Sequence, residues 1–401
     1  MPQVADTPQR PSTLPNLNDT RTAFAHRSDR DLWQAEQLFR VIGSPALNLV
    51  GQRLSQAALA LHLPISGLIK ATIFRQFCGG ETIGESLRSA TQLAERGVNT
   101  ILDHSVEGKE DDAALDESCQ EIIRTVEAAR THAHIPFSVF KPSGICPVPL
   151  LEKVSKGGAL SAADTHEWDL VQERVERICS TAAGAGVPVL IDAEESWLQP
   201  AIDSLVERMM ERHNRDRAIV FNTLQLYRHD RLAFLHSALE RARDKGYQLG
   251  VKLVRGAYME KERELAAKER RPSPIHETKN AVDGDYDAAL RFCVDHLDRM
   301  AVMAGTHNET SSLLLARLLD ERGIARNHGR VWFAQLLGMS DHISFNLAAA
   351  GYNVAKYVPY GPVREVLPYL IRRAAENTSV AGQTGRELKL IRQERRRRLG
   401  T

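Results

Sequence analysis

The sequence predicts an α/β chain, a (βα)8 TIM-like barrel of parallel strands preceded by an N-terminal helical segment. Short runs rich in apolar and β-branched residues recur eight times, separated by longer amphipathic stretches. Eight such units over about 280 residues match a closed barrel, typically ~250 residues long. A doubly wound open sheet is the alternative. No G-x-G-x-x-G follows a strand run to support it, and GAGVPV at 184 precedes a run, so it reads as a helix-to-strand turn.

Residues 1–30 are rich in proline, threonine and aspartate and are expected to form a disordered lead-in. Residues 31–95 read as the helical segment, punctuated by Gly and Pro. The barrel is assigned to residues 96–380, with strands at VNTILD near 98, IPFSVFK near 135, VPVLIDAE near 187, AIVFNTLQ near 218, GVKLVRGAY near 250, AVMAGTHN near 301, RVWFAQLLG near 330 and NVAKYVPYG near 353. Residues 381–401 form a basic tail ending in Arg395 to Arg398. It reads as a solvated helix end, with anionic lipid as its functional alternative.

Of the 401 residues 43% are hydrophobic, enough for a substantial core. Lysine plus arginine (52) nearly balances aspartate plus glutamate (51), which argues against a nucleic-acid partner recognised through a general positive field. The five cysteines are scattered without a C-x-x-C pair, so a reducing compartment fits better than a disulfide framework or a zinc site. The first thirty residues lack an apolar core and hold Asp6, Asp19, Asp29 and Asp31, a poor match to a targeting peptide. The apolar run Leu38 to Phe77 is interrupted by Arg40, Arg53, His62, Lys70 and Arg75, so it cannot span a bilayer as one uninterrupted ~20-residue segment. It remains a candidate for lying on a membrane surface or packing on the barrel.

Barrel chemistry sits at the C-terminal ends of the strands. Those ends carry Asp103, Lys141, Asp192 with Glu194 and Glu195, Gln225, Lys252 with Arg255 and Tyr258, Thr306 with His307 and Asn308, Gln335, and Tyr357 with Tyr360. Singly, each has an ordinary explanation as a helix cap or a wet strand end; the recurrence points to a mouth built for a ligand. His307 has no H-x-x-x-H or H-E-x-x-H companion, and no metal is expected. No G-x-S-x-G elbow or P-loop is present. A cationic, hydroxyl-lined pocket remains, suited to a large cofactor and a small anion.

After the eighth strand, PYLIRRAAEN places Tyr369, Arg372, Arg373 and Glu376 at helical positions i, i+3, i+4 and i+7, opposite Val366, Leu367, Leu370, Ile371 and Ala374. A solvated face with one Arg–Glu pair, contributing ~0.3 to 0.5 kcal/mol, explains this pattern. So does a grip on an amino acid, with guanidiniums on its carboxylate and a glutamate near its nitrogen.

The segments LIDAEESWLQPAID, GVKLVRGAYMEKER, GTHNE, FAQLLGMSDHISF and YVPYGPVREVLPYLIRRAAEN, with FCGGETIGESL and ILDHSVEGKEDD upstream, resemble proline dehydrogenase, in the monofunctional form close to the mitochondrial enzymes. The resemblance covers roughly residues 35 to 380. It implies a distorted (βα)8 barrel with FAD at the C-terminal mouth, oxidation of L-proline to Δ1-pyrroline-5-carboxylate, and transfer of electrons to a membrane quinone, ubiquinone or menaquinone. By the same resemblance Arg372, Arg373 and Lys141 bind the proline carboxylate and Glu376 neighbours its amine. Tyr357 and Tyr369 wall the ring, and Glu81 latches onto the first arginine when substrate is enclosed. The flavin contacts implied are Ala193, Gln225, Lys252, Arg255, Gly256, Ala257, Thr306 and His307, with Asp192 organising the network through Tyr258. Many bacterial members carry arginine where this chain has Lys252; either cation can donate toward flavin N5, but lysine lacks the fork.

Peripheral contact with a membrane is implied as well, at the cytoplasmic face of a bacterial inner membrane or the matrix face of a mitochondrial one. No second enzyme domain is recognised, so pyrroline-5-carboxylate dehydrogenase is expected to be a separate protein. Three competing readings are a hydroxyproline dehydrogenase, against which Tyr357 should crowd a 4-hydroxyl; a lyase using Lys252 as a Schiff base; and an amino-acid sensor.

Overall fold

The computed structural model describes residues 14–42, 67, 70–105, 111–367, 369–370 and 383–400. Eight strands form at the eight runs read from the sequence: β1 (Asn99–His104), β2 (Phe137–Phe140), β3 (Val189–Ile191), β4 (Val220–Gln225), β5 (Leu249–Val254), β6 (Met300–Gly305), β7 (Val331–Leu336) and β8 (Val354–Tyr360). Each pairs in parallel with the next, and β1 pairs with β8, closing the barrel. Side chains alternate across a strand. One set, including Ile101, Val139, Leu190, Phe221, Met303, Ala334 and Tyr357, fills the barrel interior. The other, including Leu102, Phe140, Ile191, Leu224, Leu253, Phe333 and Val358, packs under the surrounding helices. Phe137 meets Phe221 and Trp332 edge-on, at centroid distances of 5.7 and 5.2 Å, so aromatic rings fill part of the interior.

The described helices include α1 (Thr20–Ala23), α2 (Asp29–Ile42), α3 (Ile83–Ala94), α4 (Asp112–Thr131), α5 (Val148–Ser155), α6 (Ala162–Ala185), α7 (Gln199–His213), α8 (Arg231–Lys245), α9 (Met259–Glu269), α10 (Lys279–Asp295), α11 (Glu309–Glu321), α12 (Asp341–Ala349) and α13 (Gln383–Leu399). Capping explains several of their starts: Thr82, Asp111, Thr278 and Asn308 each accept from a backbone amide of the first turn, and Ser161 with Asp164 forms a capping box. Residues 363–367 and 369–370 are helical after β8. No helix among the described residues is long and apolar enough to cross a membrane. All five cysteines are buried as free thiols.

Both ends of the chain differ from expectation. The lead-in expected to be disordered through residue 30 already carries α1, whose first amides are capped by Asp19, and it buries Leu17, Ala23 and Phe24. The basic tail is a helix docked on the rest of the protein rather than a solvated end. Leu390 and Ile391 of α13 join a cluster with Phe24, Leu32, Phe39, Phe77, Val366 and Leu370. Its arginines are largely matched: Arg392 and Arg395 pair with Glu36, Arg397 and Arg398 with the fully buried Glu394, and Arg398 also with Asp29. The burial was hidden because the periodicity of a helix rich in arginine suggests a wet face.

Outside the barrel wall, Lys356 of β8 is 1% exposed and its ammonium sits 2.9 Å from Asp341 Oδ1. Asp341 also accepts from Arg27, at 2.9 and 3.0 Å, which ties the N-terminal segment to α12. Burial opposes ionisation of Asp341, but Lys356 and Arg27 outweigh it and hold the carboxyl well below the usual range. Asp341→Ala leaves the Lys356 ammonium buried against only the Leu336 and Met339 carbonyls. Urea unfolding should show a loss of about 3 to 5 kcal/mol for this variant and a smaller one for Lys356→Met, which leaves Asp341 its Arg27 partner.

Candidate active site

Because alternate residues face inward, the strand ends deliver Asp103, Lys141, Asp192, Gln225, Lys252 and Tyr357 to one end of the barrel interior. At their centre, the Lys252 ammonium donates to Asp192 Oδ1 and, at 2.6 Å, to the Tyr357 hydroxyl. It also stands 4.6 Å from the Tyr357 ring centroid. Lys252 is 4% exposed, so one amine on β5 links the end of β3 to β8 across the interior, away from bulk water. Burial, and secondarily the charges of Asp192 and Asp103, push the Tyr357 phenol well above its usual pKa and keep it neutral. Lys141 lies 3.8 Å from Asp103 Oδ2, which also accepts from Ser105 Oγ at 2.9 Å.

A second group ties consecutive strand ends together. Gln225 donates to the Glu194 carbonyl at 2.7 Å and accepts from the Ala257 amide at 3.1 Å. The Glu194 carboxylate accepts from the Ser143 amide at 2.7 Å, two residues beyond Lys141. The segments after β2, β3, β4 and β5 are thereby linked. Arg255 reaches Asp283 at 2.8 Å, Thr306 at 2.7 Å and Ser311 at 2.9 Å, with its guanidinium 4.3 Å from the Tyr286 centroid. Gly256 takes a φ of 146°, and a Cβ there would stand 2.5 Å from the Tyr227 ring, so only glycine makes this bend. The bend leaves Gly256 and Ala257 exposed beside Gln225. His307, after β6, lies 2.9 Å through Nδ1 from Ser340 Oγ.

The structure therefore gathers Lys141, Asp192, Gln225, Lys252 and Tyr357 at one mouth, with Ala193, Arg255, Gly256, Ala257, Thr306 and His307 on its rim. The partner found for Asp192 is Lys252, a residue the resemblance had linked to the flavin. Tyr258 is half-buried, with the Lys261 ammonium 5.5 Å from its ring. Tyr369 is buried in the cluster shared with α2 and α13. The Glu81 carboxylate is held by Lys70 and, at 3.5 Å, by the Val363 amide. Arg372, Arg373 and Glu376 lie outside the described residues. The struts Glu194 to Ser143 and Ser340 to His307 were missed. Glu194 had a visible signal, an acidic pair directly after a strand, whereas Ser340 had none.

Burial chiefly, and the neighbouring Glu195 charge, raise the Glu194 carboxyl to about 7 against the pull of the Ser143 amide and Lys141. In the unfolded chain it titrates near 4.5, so the folded state binds the extra proton between these values and wild-type stability falls as pH rises through that window. Glu194→Gln is spared the loss while keeping an acceptor for Ser143. Its stability advantage over wild type should grow between pH 5 and 8 to about 3 kcal/mol, read by urea unfolding at each pH.

A sequence profile of the family described as Proline dehydrogenase matches residues 86–386. Proline dehydrogenase 1, mitochondrial, of Arabidopsis thaliana is 34% identical over 434 aligned positions, covering 96% of this chain and 86% of that protein. Proline dehydrogenase 2, mitochondrial, of the same plant is 36% identical, over 83% of this chain and 79% of the relative. A protein named for carbapenem antibiotics biosynthesis, CarD of Pectobacterium carotovorum subsp. carotovorum, is 38% identical over 80% of this chain and 84% of its own. Among solved structures, proline utilization A from Bdellovibrio bacteriovorus inactivated by N-propargylglycine superposes with a TM-score of 0.69 at 17% identity, a likeness of fold. It spans 90% of this chain, which in turn covers 38% of that longer one. By the profile and the plant relatives together, this chain belongs to the proline dehydrogenase family.

Proposed function

We propose that this protein oxidises L-proline to Δ1-pyrroline-5-carboxylate with FAD as the immediate acceptor and ubiquinone or menaquinone as the onward one. The observation that carries the reading is the buried Lys252 ammonium held between Asp192 and Tyr357 in the barrel mouth. The residues present fit a flavin. A fixed cation suits a ring system that gains negative charge on reduction, and Gln225 keeps one amide hydrogen beyond the one it gives the Glu194 carbonyl. When bound, FAD would supply the hydride acceptor, a role that amino-acid side chains do not fill. Lys252, Gln225, Arg255 and His307 are the residues assigned to hold it.

On the substrate side, Lys141 with Arg372 and Arg373 holds the carboxylate. Glu376 neighbours the imino nitrogen, and Tyr357 and Tyr369 confine the ring so that C5 is presented in one orientation. Lys252 fixes the Tyr357 phenol, which in this reading would crowd a 4-hydroxyl on the substrate ring, so proline is preferred over trans-4-hydroxyproline. Removing a hydride equivalent from C5 and the proton from nitrogen completes the oxidation. The nitrogen must be neutral for this, since a positive charge beside C5 opposes loss of hydride. The imine is proposed to pass to a separate pyrroline-5-carboxylate dehydrogenase. A quinone acceptor implies contact with a membrane surface, at the cytoplasmic face of a bacterial inner membrane or the matrix face of a mitochondrial one. The internal pairing of the α13 arginines favours another surface for that contact than the tail.

The purified protein is expected to be yellow and to lose its visible flavin absorbance on anaerobic addition of L-proline. Arg372→Met with Arg373→Met should slow that bleaching at least about 100-fold, the ~3 kcal/mol expected from removing charged hydrogen bonds. In the wild type kcat/KM should rise from pH 6 to 9. A colourless protein trapped with an aldehyde by borohydride would point instead to Lys252 lyase chemistry, and a flat pH profile would remove the neutral-amine requirement.

A further inference from the structure

Apart from Arg386, the docking residues of α13 lie beyond the matched family segment, which ends at residue 386, yet one of them, Glu387, is joined to the rim of the barrel mouth through a single residue. The link is Ser340, which is fully buried between β7 and α12. Its backbone is left-handed, with φ 51° and ψ 41°, a conformation that disfavours residues with a Cβ. It occupies the N-cap of α12 but its side chain makes no capping bond. A serine there usually gives its oxygen to the helix amides. Here Oγ lies instead 2.9 Å from His307 Nδ1. The Ser340 amide donates to the carboxylate of Glu387, a residue of α13 that is only 2% exposed. The Ser340 carbonyl accepts from the Ile343 amide at 2.9 Å and the Ser344 amide at 3.1 Å. A disfavoured backbone, a forgone cap and a buried carboxylate thus converge on one residue, whose hydroxyl meets one histidine.

Elsewhere α13 is anchored by ion pairs that do not involve Ser340. Arg392 and Arg395 reach Glu36 on α2, and Arg386 reaches Glu309 at the start of α11. Glu309 is also 3.0 Å from His342 Nε2. The helix is therefore a fixed platform, and Glu387 is its contact with Ser340.

We propose that Glu387 of the terminal helix is a positioning residue for the cofactor: it locks the Ser340 backbone, and Ser340 Oγ in turn sets the imidazole of His307 against the flavin. This rests on the proposed assignment of His307 to the flavin. Glu387→Gln keeps an acceptor for the Ser340 amide; Glu387→Ala removes it; Ser340→Ala removes only the hydroxyl that meets His307.

The test is equilibrium dialysis of FAD from the purified holoprotein, with the visible spectrum recorded in parallel, well below the melting temperature of each variant. Glu387→Ala and Ser340→Ala should each weaken FAD binding about tenfold and shift the flavin bands, while Glu387→Gln stays within about twofold of wild type. Arg395→Ala, which loosens the helix at Glu36, should lower the melting temperature and leave FAD affinity unchanged. Wild-type affinity and spectrum in both alanine variants would overturn the proposal. So would an equal loss of FAD in Arg395→Ala, because the helix would then act only by being docked. Should Glu387→Ala fail to fold, Ser340→Ala decides alone. A wild-type chain that takes up no flavin would sink the functional reading and this inference together, whereas normal uptake with insensitive variants would sink the inference only.

Discussion

An ammonium held away from water at the mouth of the barrel is the constraint on which the site turns. Lys252 costs several kcal/mol to bury unless its hydrogen bonds are met in place. Asp192 and Tyr357 meet them from two other strands, so the charge is stable only if β3, β5 and β8 keep their present register. A slip of one residue in β5 would turn Lys252 into the apolar layer beneath the helices and bring Leu253 to the interior. The polar mouth and the apolar wall are thus two faces of the same alternation, and a closed barrel with no edge makes that alternation hard to change locally.

Around this centre, the strand ends from β2 to β6 are fastened in succession by different devices. Glu194 and Gln225 join the segments after β2 to β5, Arg255 welds the end of β5 to β6 and α10, and the Ser340 hydroxyl joins β6 to the turn before α12. Such bonds hold side chains in place before a ligand arrives, so less order must be imposed on binding. The terminal helices extend the same scheme outward. They share one apolar cluster with the helix that follows β8, so the segment leading to Arg372 and Arg373 rests on α2 and α13 as well as on the barrel.

The fold was legible because its signal is local and repeated: β-branched runs such as VKLV and VLI, spaced by amphipathic helices, place all eight strands. Lys252, Asp192 and Tyr357 were legible as strand-end polar groups, although their mutual bonds join residues up to 105 positions apart, a separation no periodicity encodes. Lys356 was visible in principle, as a cation inside an apolar strand, but its partner Asp341 is known only from the packing of α12. The terminal helices were misread for the opposite reason. Their charged residues look solvated one at a time, whereas Glu36 meets Arg392 and Arg395 across helices, Asp29 meets Arg398, and Glu394 is buried beneath Arg397 and Arg398 of its own helix.

Whether the mouth works as one unit is decided by a double-mutant cycle on Asp192→Asn and Lys252→Met, read as the single-turnover rate of anaerobic flavin reduction by L-proline. If the two residues are coupled across the barrel, the second substitution adds little to the first, and the rates depart from additivity by about tenfold or more. Strictly additive losses would mean that Lys252 and Asp192 act independently, and the buried ammonium would not be the centre of the site.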